Sequence, residues 1–192
     1  TGLLVDLNTV YAAPASEIKI NAETNATVNG ILTVADAAAL KTLLGSVGGK
    51  VTATVTPLTA DALVNALGTA GDGLIDALTL HVVEDKDAAT GVVTVTQAAD
   101  LVTLNGKTTV KVKVDATQIS GSYDDLETVY VTGKAGFSNL GNETVTITGT
   151  GPTANSAARV DSILKATTGV VTATVTAASA SDLVANLKNA KN

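Results

Sequence analysis

The sequence predicts an α/β repeat fold in which short strands alternate with short helices and the strands stack as a solenoid-like parallel sheet. Three observations lead to it. The 19-residue line GKVTATVTPLTADALVNAL, Gly49 to Leu67, returns as GVVTATVTAASASDLVANL, Gly169 to Leu187, with 11 identities, so one supersecondary unit was copied within the chain. Inside that line VTATVT has strict period two, the pattern of a half-buried strand, and a stretch with leucines on one helical face follows it. Strand-like runs begin near residues 31, 51, 78, 92, 108, 128, 143 and 170, about 20 residues apart. That is the step of β/α solenoids such as leucine-rich repeats, although the leucine-rich consensus itself is missing.

Taken in order, residues 1–30 differ from the rest. LLVDLNTV is apolar, Pro14 marks a loop and EIKI reads as a short strand, so this segment is expected to be a cap, a linker or an exchanged strand ahead of a strand/helix repeat domain over 31–192. ILTV leads into a helix over 35–44, with Ala35, Ala38 or Ala39, and Leu43 on one face, Asp36 in its first turn and Gly45 as its stop. In KVTATVT, Val51, Ala53 and Val55 face one way and Thr52, Thr54 and Thr56 the other. Pro57 ends that strand and Thr59 caps a helix whose Leu63, Ala66 and Leu67 face inward.

The alternation continues through ALTLHVV, GVVTVT, a helix over 98–104, KTTVKVKV, ETVYVTG, ETVTITGTG, a helix over 154–165, VVTATVT and a helix over 179–188. Asn29-Gly30 and Asn105-Gly106 are turn signals. SGSYDDLE and KAGFSNLGN read as irregular insertions, the places where repeat folds carry binding. The competing architecture is a set of β-sandwich domains, because several runs alternate as antiparallel edge strands do.

Composition narrows the function. With 18 acidic and 12 basic residues the net charge is −6, and Arg159 is the sole arginine, which disfavours nucleic acid and anionic membrane surfaces as partners. No apolar run is long enough for a membrane-spanning helix, so no membrane insertion is expected. Apolar residues make up 45% of the chain but aromatics only 2%, so the core is built from Val, Leu, Ile and Ala and suits thin stacked layers. Absence of Cys removes disulfides, thiolate metal sites and cysteine nucleophiles. The Thr, Ala, Val, Gly and Asn bias, and a start on Thr1, fit a processed form or fragment of a large exported bacterial protein, extracellular or at the cell surface.

TTGVVTATV at 167–175, VADAAAL at 34–40 and SDLVANL at 181–187 resemble the Ala/Thr/Val-rich tandem repeats of large cyanobacterial and proteobacterial cell-surface, S-layer-like and adhesin-like proteins, and of related phage fibres. The resemblance covers about residues 31–192 and implies a structural, surface-exposed array. Such regions often accompany calcium-binding nonapeptide repeats, but GGxGxD is absent from this chain.

Chemistry-bearing residues are few. His81 is the only histidine, so no histidine pair holds a metal, and a strand histidine with one polar edge is the expected role. Asp124, Asp125 and Glu127 cluster; they are the candidate Ca²⁺ ligands, or the carboxylates of a hydrolase, against the simpler reading of a solvated turn. Glu84, Asp85 and Asp87 form a second such group, and neither has EF-hand spacing. Rows of threonine (Thr52, Thr54, Thr56, Thr94, Thr96, Thr144, Thr146, Thr148, Thr172, Thr174, Thr176) suggest either an ice-binding array or plain exposed strand faces, and Lys111 and Lys113 interrupt them. Asn25 and Asn142 open sequons. Tyr123, Phe137 and Asn139 are the expected binding or assembly contacts. The chain therefore reads as a non-enzymatic structural subunit of a surface layer, filament or stalk that works by self-association. The alternative is an adhesin or phage receptor-binding module contacting a cell-surface glycan or protein through loops 120–127 and 133–142.

Overall fold

The computed structural model describes residues 1–14, 20–21, 23–68, 76–84, 86, 89–149 and 155–190. Most of EIKI, and Asp85 and Asp87 of the second acidic group, lie outside the described residues. The rest forms an α/β fold with three small parallel-strand sheets and seven α-helices. The strands are β1 (Ala26–Leu32), β2 (Val51–Val55), β3 (Ala77–Thr79), β4 (His81–Val83), β5 (Thr96–Gln97), β6 (Val112–Asp115), β7 (Gln118–Ser122), β8 (Phe137–Ser138), β9 (Thr144–Thr148) and β10 (Val171–Ala173). The helices are α1 (Leu4–Ala12), α2 (Ala37–Ser46), α3 (Ala60–Leu67), α4 (Ala98–Asn105), α5 (Tyr123–Glu127), α6 (Ala157–Ala166) and α7 (Ala180–Asn186).

One sheet runs β1-β2-β3, a second β4-β6-β8 and a third β10-β9-β7-β5. Every pairing between these strands is parallel, which removes the β-sandwich alternative from the described residues. Parallel neighbours need a crossover between them, and α2 to α6 each lie in one. Consecutive helices then pack on each other from α1 through to α7. The register sets the step. Ala26 lies beside Val51, Thr52 beside Ala77 and Val112 beside Phe137, each 25 residues apart, but Thr96 lies beside Ile119 at 23 and His81 beside Lys113 at 32, so the spacing is uneven and mostly longer than the expected 20.

Local chemistry accounts for the elements. In β2 the inward Val51, Ala53 and Val55 are buried while Thr52 and Thr54 are half-exposed, as the period-two pattern requires. Thr59 accepts from the Ala62 amide and Ser179 from the Asp182 amide, giving α3 and α7 matching N-caps, and Thr33 and Asp36 form a reciprocal capping box ahead of α2. The buried face of α2 is Leu40, Leu43 and Leu44, and of the alternatives Ala38 or Ala39 it is Ala39 that packs against the core; Ala35, also expected inward, is exposed, because the bulkier leucines gain more by burial. Gly45 does not stop this helix, which continues to Ser46.

Three further expectations change. The boundary at residue 30 cuts through β1, and the preceding residues form α1, whose Leu4 and Leu7 are buried and whose Asn8 Nδ2 donates to the Ala39 carbonyl 2.9 Å away on α2. SGSYDDLE is not an irregular insertion but the end of β7 and the start of α5. ETVYVTG is not a strand: α5 runs on into a turn of π-helix over Thr128–Thr132, closed by the Gly133 amide on the Thr128 carbonyl at 2.7 Å. Leu126, Val129 and Tyr130 are buried from this helical stretch, an i, i+3, i+4 set that the alternating valines obscure. KAGFSNLGN contains a 3-10 turn, Lys134–Gly136, and β8.

Two glycines show how tightly the layers meet. A Cβ on Gly49 would lie 2.6 Å from the carbonyl oxygens of Glu23 and Thr24, and one on Gly169 would lie 1.9 Å from the Glu143 carbonyl oxygen. Neither space holds a side chain, so glycine at the head of both copied lines is a requirement of layer-to-layer approach.

Candidate functional site

The expected carboxylate cluster is placed by α5 and is already engaged within the fold. Ser122 caps the helix, donating from Oγ to Asp125 Oδ2 at 2.6 Å and accepting from the Asp125 amide at 3.2 Å. The Arg159 guanidinium from α6 pairs with Asp124 Oδ1 and lies 3.8 Å over the Tyr123 ring. Tyr123 donates to Glu127 Oε1 at 2.9 Å, and its hydroxyl is also 2.9 Å from Ser162 Oγ. Asp124, Asp125 and Glu127 thus face three different partners, and no group of metal-ligating side chains converges among the described residues. Asp124 and Tyr123 reach across to α6, while Asp125 and Glu127 bond within α5 and its cap.

The predicted contact residues also have internal roles. Tyr123 is 5% exposed and Phe137 4%, so both rings belong to the core. Asn139 is exposed and is the one non-glycine residue at positive φ, 67°, among the described residues. Its Nδ2 donates to Asp115 Oδ1 at 2.5 Å. The 120–127 segment is thus regular and Tyr123 and Phe137 are buried, while the second expected contact loop, 133–142, leaves Asn139 exposed.

Asp115 is the centre of a second cluster. His81 on β4 sits beside Lys113 on β6, and Asp115 Oδ2 takes Lys113 Nζ at 2.8 Å and His81 Nε2 at 2.5 Å. The Lys113 hydrogen bond first, the His81 bond next and the Asn139 bond after them hold the Asp115 carboxyl at about 2, below the usual carboxylate range. One carboxylate therefore ties three successive layers on the outer side of the sheet. The sequence located His81 as a strand histidine with one polar edge; its partner, 34 residues on, depends on strand register and was not readable.

Inside the fold, Glu143 is 1% exposed and takes the Tyr130 hydroxyl at 2.9 Å and the Gly141 amide at 2.9 and 3.1 Å on its two oxygens. Burial, and then the Glu143 charge, push the Tyr130 phenol up from its ordinary value. Sequence reading missed this pair, because Glu143 sits between Asn142 and Thr144 in a sequon and Tyr130 in an expected strand. Lys107 is buried and its Nζ has no hydrogen-bond partner among the described residues.

The threonine rows divide. Thr27 and Thr52 stand side by side on the first sheet and Thr146 and Thr172 on the third, while Thr96 is buried beside Ile119. They do not form one plane.

Clefts are shallow and lie at the layer edges. One, of about 500 Å³, is lined by Val160, Leu164, Val171, Ala173, Val175 and Leu187, with Asn189 its side-chain amide and no ionisable side chain. A smaller one of about 200 Å³ holds Asp61 and Asp100, and burial followed by the Asp61 charge raises the Asp100 carboxyl. Asp61 itself accepts from Thr59 Oγ1 at 2.6 Å. No helix among the described residues is long and apolar enough to cross a membrane. Compared with known proteins, the chain matches no protein-family model, no curated protein and no solved structure.

Proposed function

We propose that this chain is a non-enzymatic structural module, a β/α solenoid belonging to an extracellular surface layer, filament or stalk, that works by self-association. The observation that carries the reading is where the polar side chains are spent. Asp115, Asp124, Glu143 and Arg159 join separate elements, Asp125 bonds the Ser122 cap, and Glu127 accepts from Tyr123 one turn away in α5. Between the fasteners the layers are aliphatic, with Leu43, Val51, Leu63, Leu101, Val114, Ile119 and Val145 fully buried. Such stacking gives mechanical continuity along the layer axis, since each layer contacts its neighbours alone.

The test is negative-stain electron microscopy and light scattering of the purified chain, with and without millimolar calcium. Filaments or lattices in both conditions are the expected result, because the acidic side chains of α5 are already paired. Dispersed single particles at every concentration would overturn the self-association reading, and assembly that requires calcium would reopen Asp124, Asp125 and Glu127 as ligands.

A further inference from the structure

The chain carries two Asn-Gly pairs, Asn29-Gly30 and Asn105-Gly106, and the fold treats them oppositely. In this dipeptide the glycine nitrogen can close a five-membered imide on the asparagine side chain, because no Cβ on the second residue stands in the way. Closure in a folded chain requires that the nitrogen and the side chain both be uncommitted. Asn29 and Gly30, a turn signal in the sequence, lie inside β1 where its ladder breaks. From Thr27 to Ile31 the strand takes four steps while β2 takes two, from Thr52 to Thr54, so neither Asn29 nor Gly30 has a partner residue in β2. Gly30 stands at φ 88°, a conformation that favours glycine, and a Cβ built on it would meet no atom within 4 Å. Asn29 donates from its backbone amide to the Gly2 carbonyl at 2.9 Å, but its side chain is exposed and bonds to none of the described residues.

Asn105 and Gly106 close α4 and are held. The Gly106 amide donates to the Val102 carbonyl at 3.1 Å, and its φ of −70° and ψ of −9° are helical. The half-buried Asn105 side chain lies against Gly136, where an added Cβ would collide with its Oδ1. The nitrogen that has to attack is committed to the helix, and the side chain to a packed contact.

We propose that Asn29 is a site of spontaneous covalent modification, at which Gly30 converts the side-chain amide into a carboxylate, and that Asn105 is protected from the same reaction. Hydroxide removes the Gly30 amide proton, the nitrogen bonds to Asn29 Cγ, the Cγ–Nδ2 bond breaks, and ammonia leaves with a proton taken from water, which restores the hydroxide. Water then adds to one of the two imide carbonyls. Opening at the side-chain carbonyl gives aspartate, and opening at the main-chain carbonyl gives isoaspartate. One water is consumed and one ammonia released, with no oxidant or cofactor. Each event makes the chain one charge more negative. The isoaspartate product also lengthens the main chain by one carbon, at a place where the ladder is already interrupted, so the pairs Thr27 with Thr52 and Ile31 with Thr54 should persist.

The test incubates the full chain at neutral and at mildly alkaline pH and follows it by peptide mapping with mass spectrometry, beside isoelectric focusing of the same samples. The expected result is a one-dalton gain at Asn29 that is faster at the higher pH and about tenfold or more faster than at Asn105, since Asn105 reacts only when the end of α4 opens. An acidic band should grow in step with it, and Asn29→Gln, an exposed substitution that should leave circular dichroism unchanged, should remove that band. In the chain unfolded by guanidinium chloride the Asn105 rate should rise to that of Asn29, because the two are then equivalent dipeptides. An Asn29 that stays intact in the folded chain, equal rates at the two sites there, or a ratio that is the same folded and unfolded would each overturn the assignment.

Discussion

Gly49–Leu67 and Gly169–Leu187 are nearly one sentence placed in two contexts. Both make a strand, a hydroxyl-capped helix and a glycine approach to the carbonyls of the layer before. Burial differs completely: Val51 and Leu63 are fully buried, whereas Val171 and Leu183 are half-exposed. Local conformation therefore belongs to the line itself and burial to what lies on either side. A repeat of this kind acquires its core from its neighbours.

The contrast is sharpest at the matched leucines. Leu63→Ala should cost about 2–5 kcal/mol by denaturant unfolding, the range for opening a cavity in a closed core, and Leu183→Ala under about 1 kcal/mol. Equal losses would mean that the last layer is covered in solution, and the comparison would break. Next come the glycines. Gly49→Ala should cost about 1–3 kcal/mol as the layers on both sides are forced apart. Gly169→Ala meets a closer carbonyl, yet only the last layer has to move, so hydrogen exchange over residues 167–190 should speed up while the rest of the chain keeps its protection. The caps should not discriminate: Thr59→Ala and Ser179→Ala should each lose about 1 kcal/mol of local helix stability, read from amide exchange in the first helical turn, since capping is local in both copies.

The smallest effect concerns the layers between the copies. Folding favours the charged form of Asp115, whose carboxyl is held at about 2, so its contribution is complete above about pH 4 and fades as pH falls toward 2. Unfolding midpoints measured from pH 5 to pH 2 should fall more steeply for the parent than for Asp115→Asn, and parallel curves would remove the carboxylate from this role.

Where the sequence was readable, one pattern acted alone. VTATVT gave β2 because period two met no competing signal, and Thr59 and Pro57 bounded it as their chemistry dictates. Residues 123–132 misled because β-branched Val129 and Val131 imitate alternation, although Ser122 and Asp125 already held a capping signature for a helix. β7 was hidden for the opposite reason. Gln118, Ser120, Gly121 and Ser122 have little strand preference, and pairing with β5 and β9 on both sides imposes the strand on them. A Cβ on Gly121 would lie 2.7 Å from Ala98 Cβ, a constraint that exists only once α4 is in place. The two polar clusters were illegible for the same cause, since Asp115 and Glu143 find their partners through register and packing, which one line of residues does not state.

The order of the helix starts has an electrostatic consequence. Acids stand at the starts of successive helices: Asp36 as the residue before α2, and Asp61, Asp100, then Asp124 and Asp125 in the first turns of α3, α4 and α5, with Asp6 and Asp182 in α1 and α7. α6 breaks the series, and its Arg159 reaches back to Asp124 instead. Within the series Asp100 feels its neighbour: burial and then the Asp61 charge push its carboxyl up. Removing the Asp61 charge would therefore relieve part of the push on Asp100, so the two layers are linked through a proton as well as through packing.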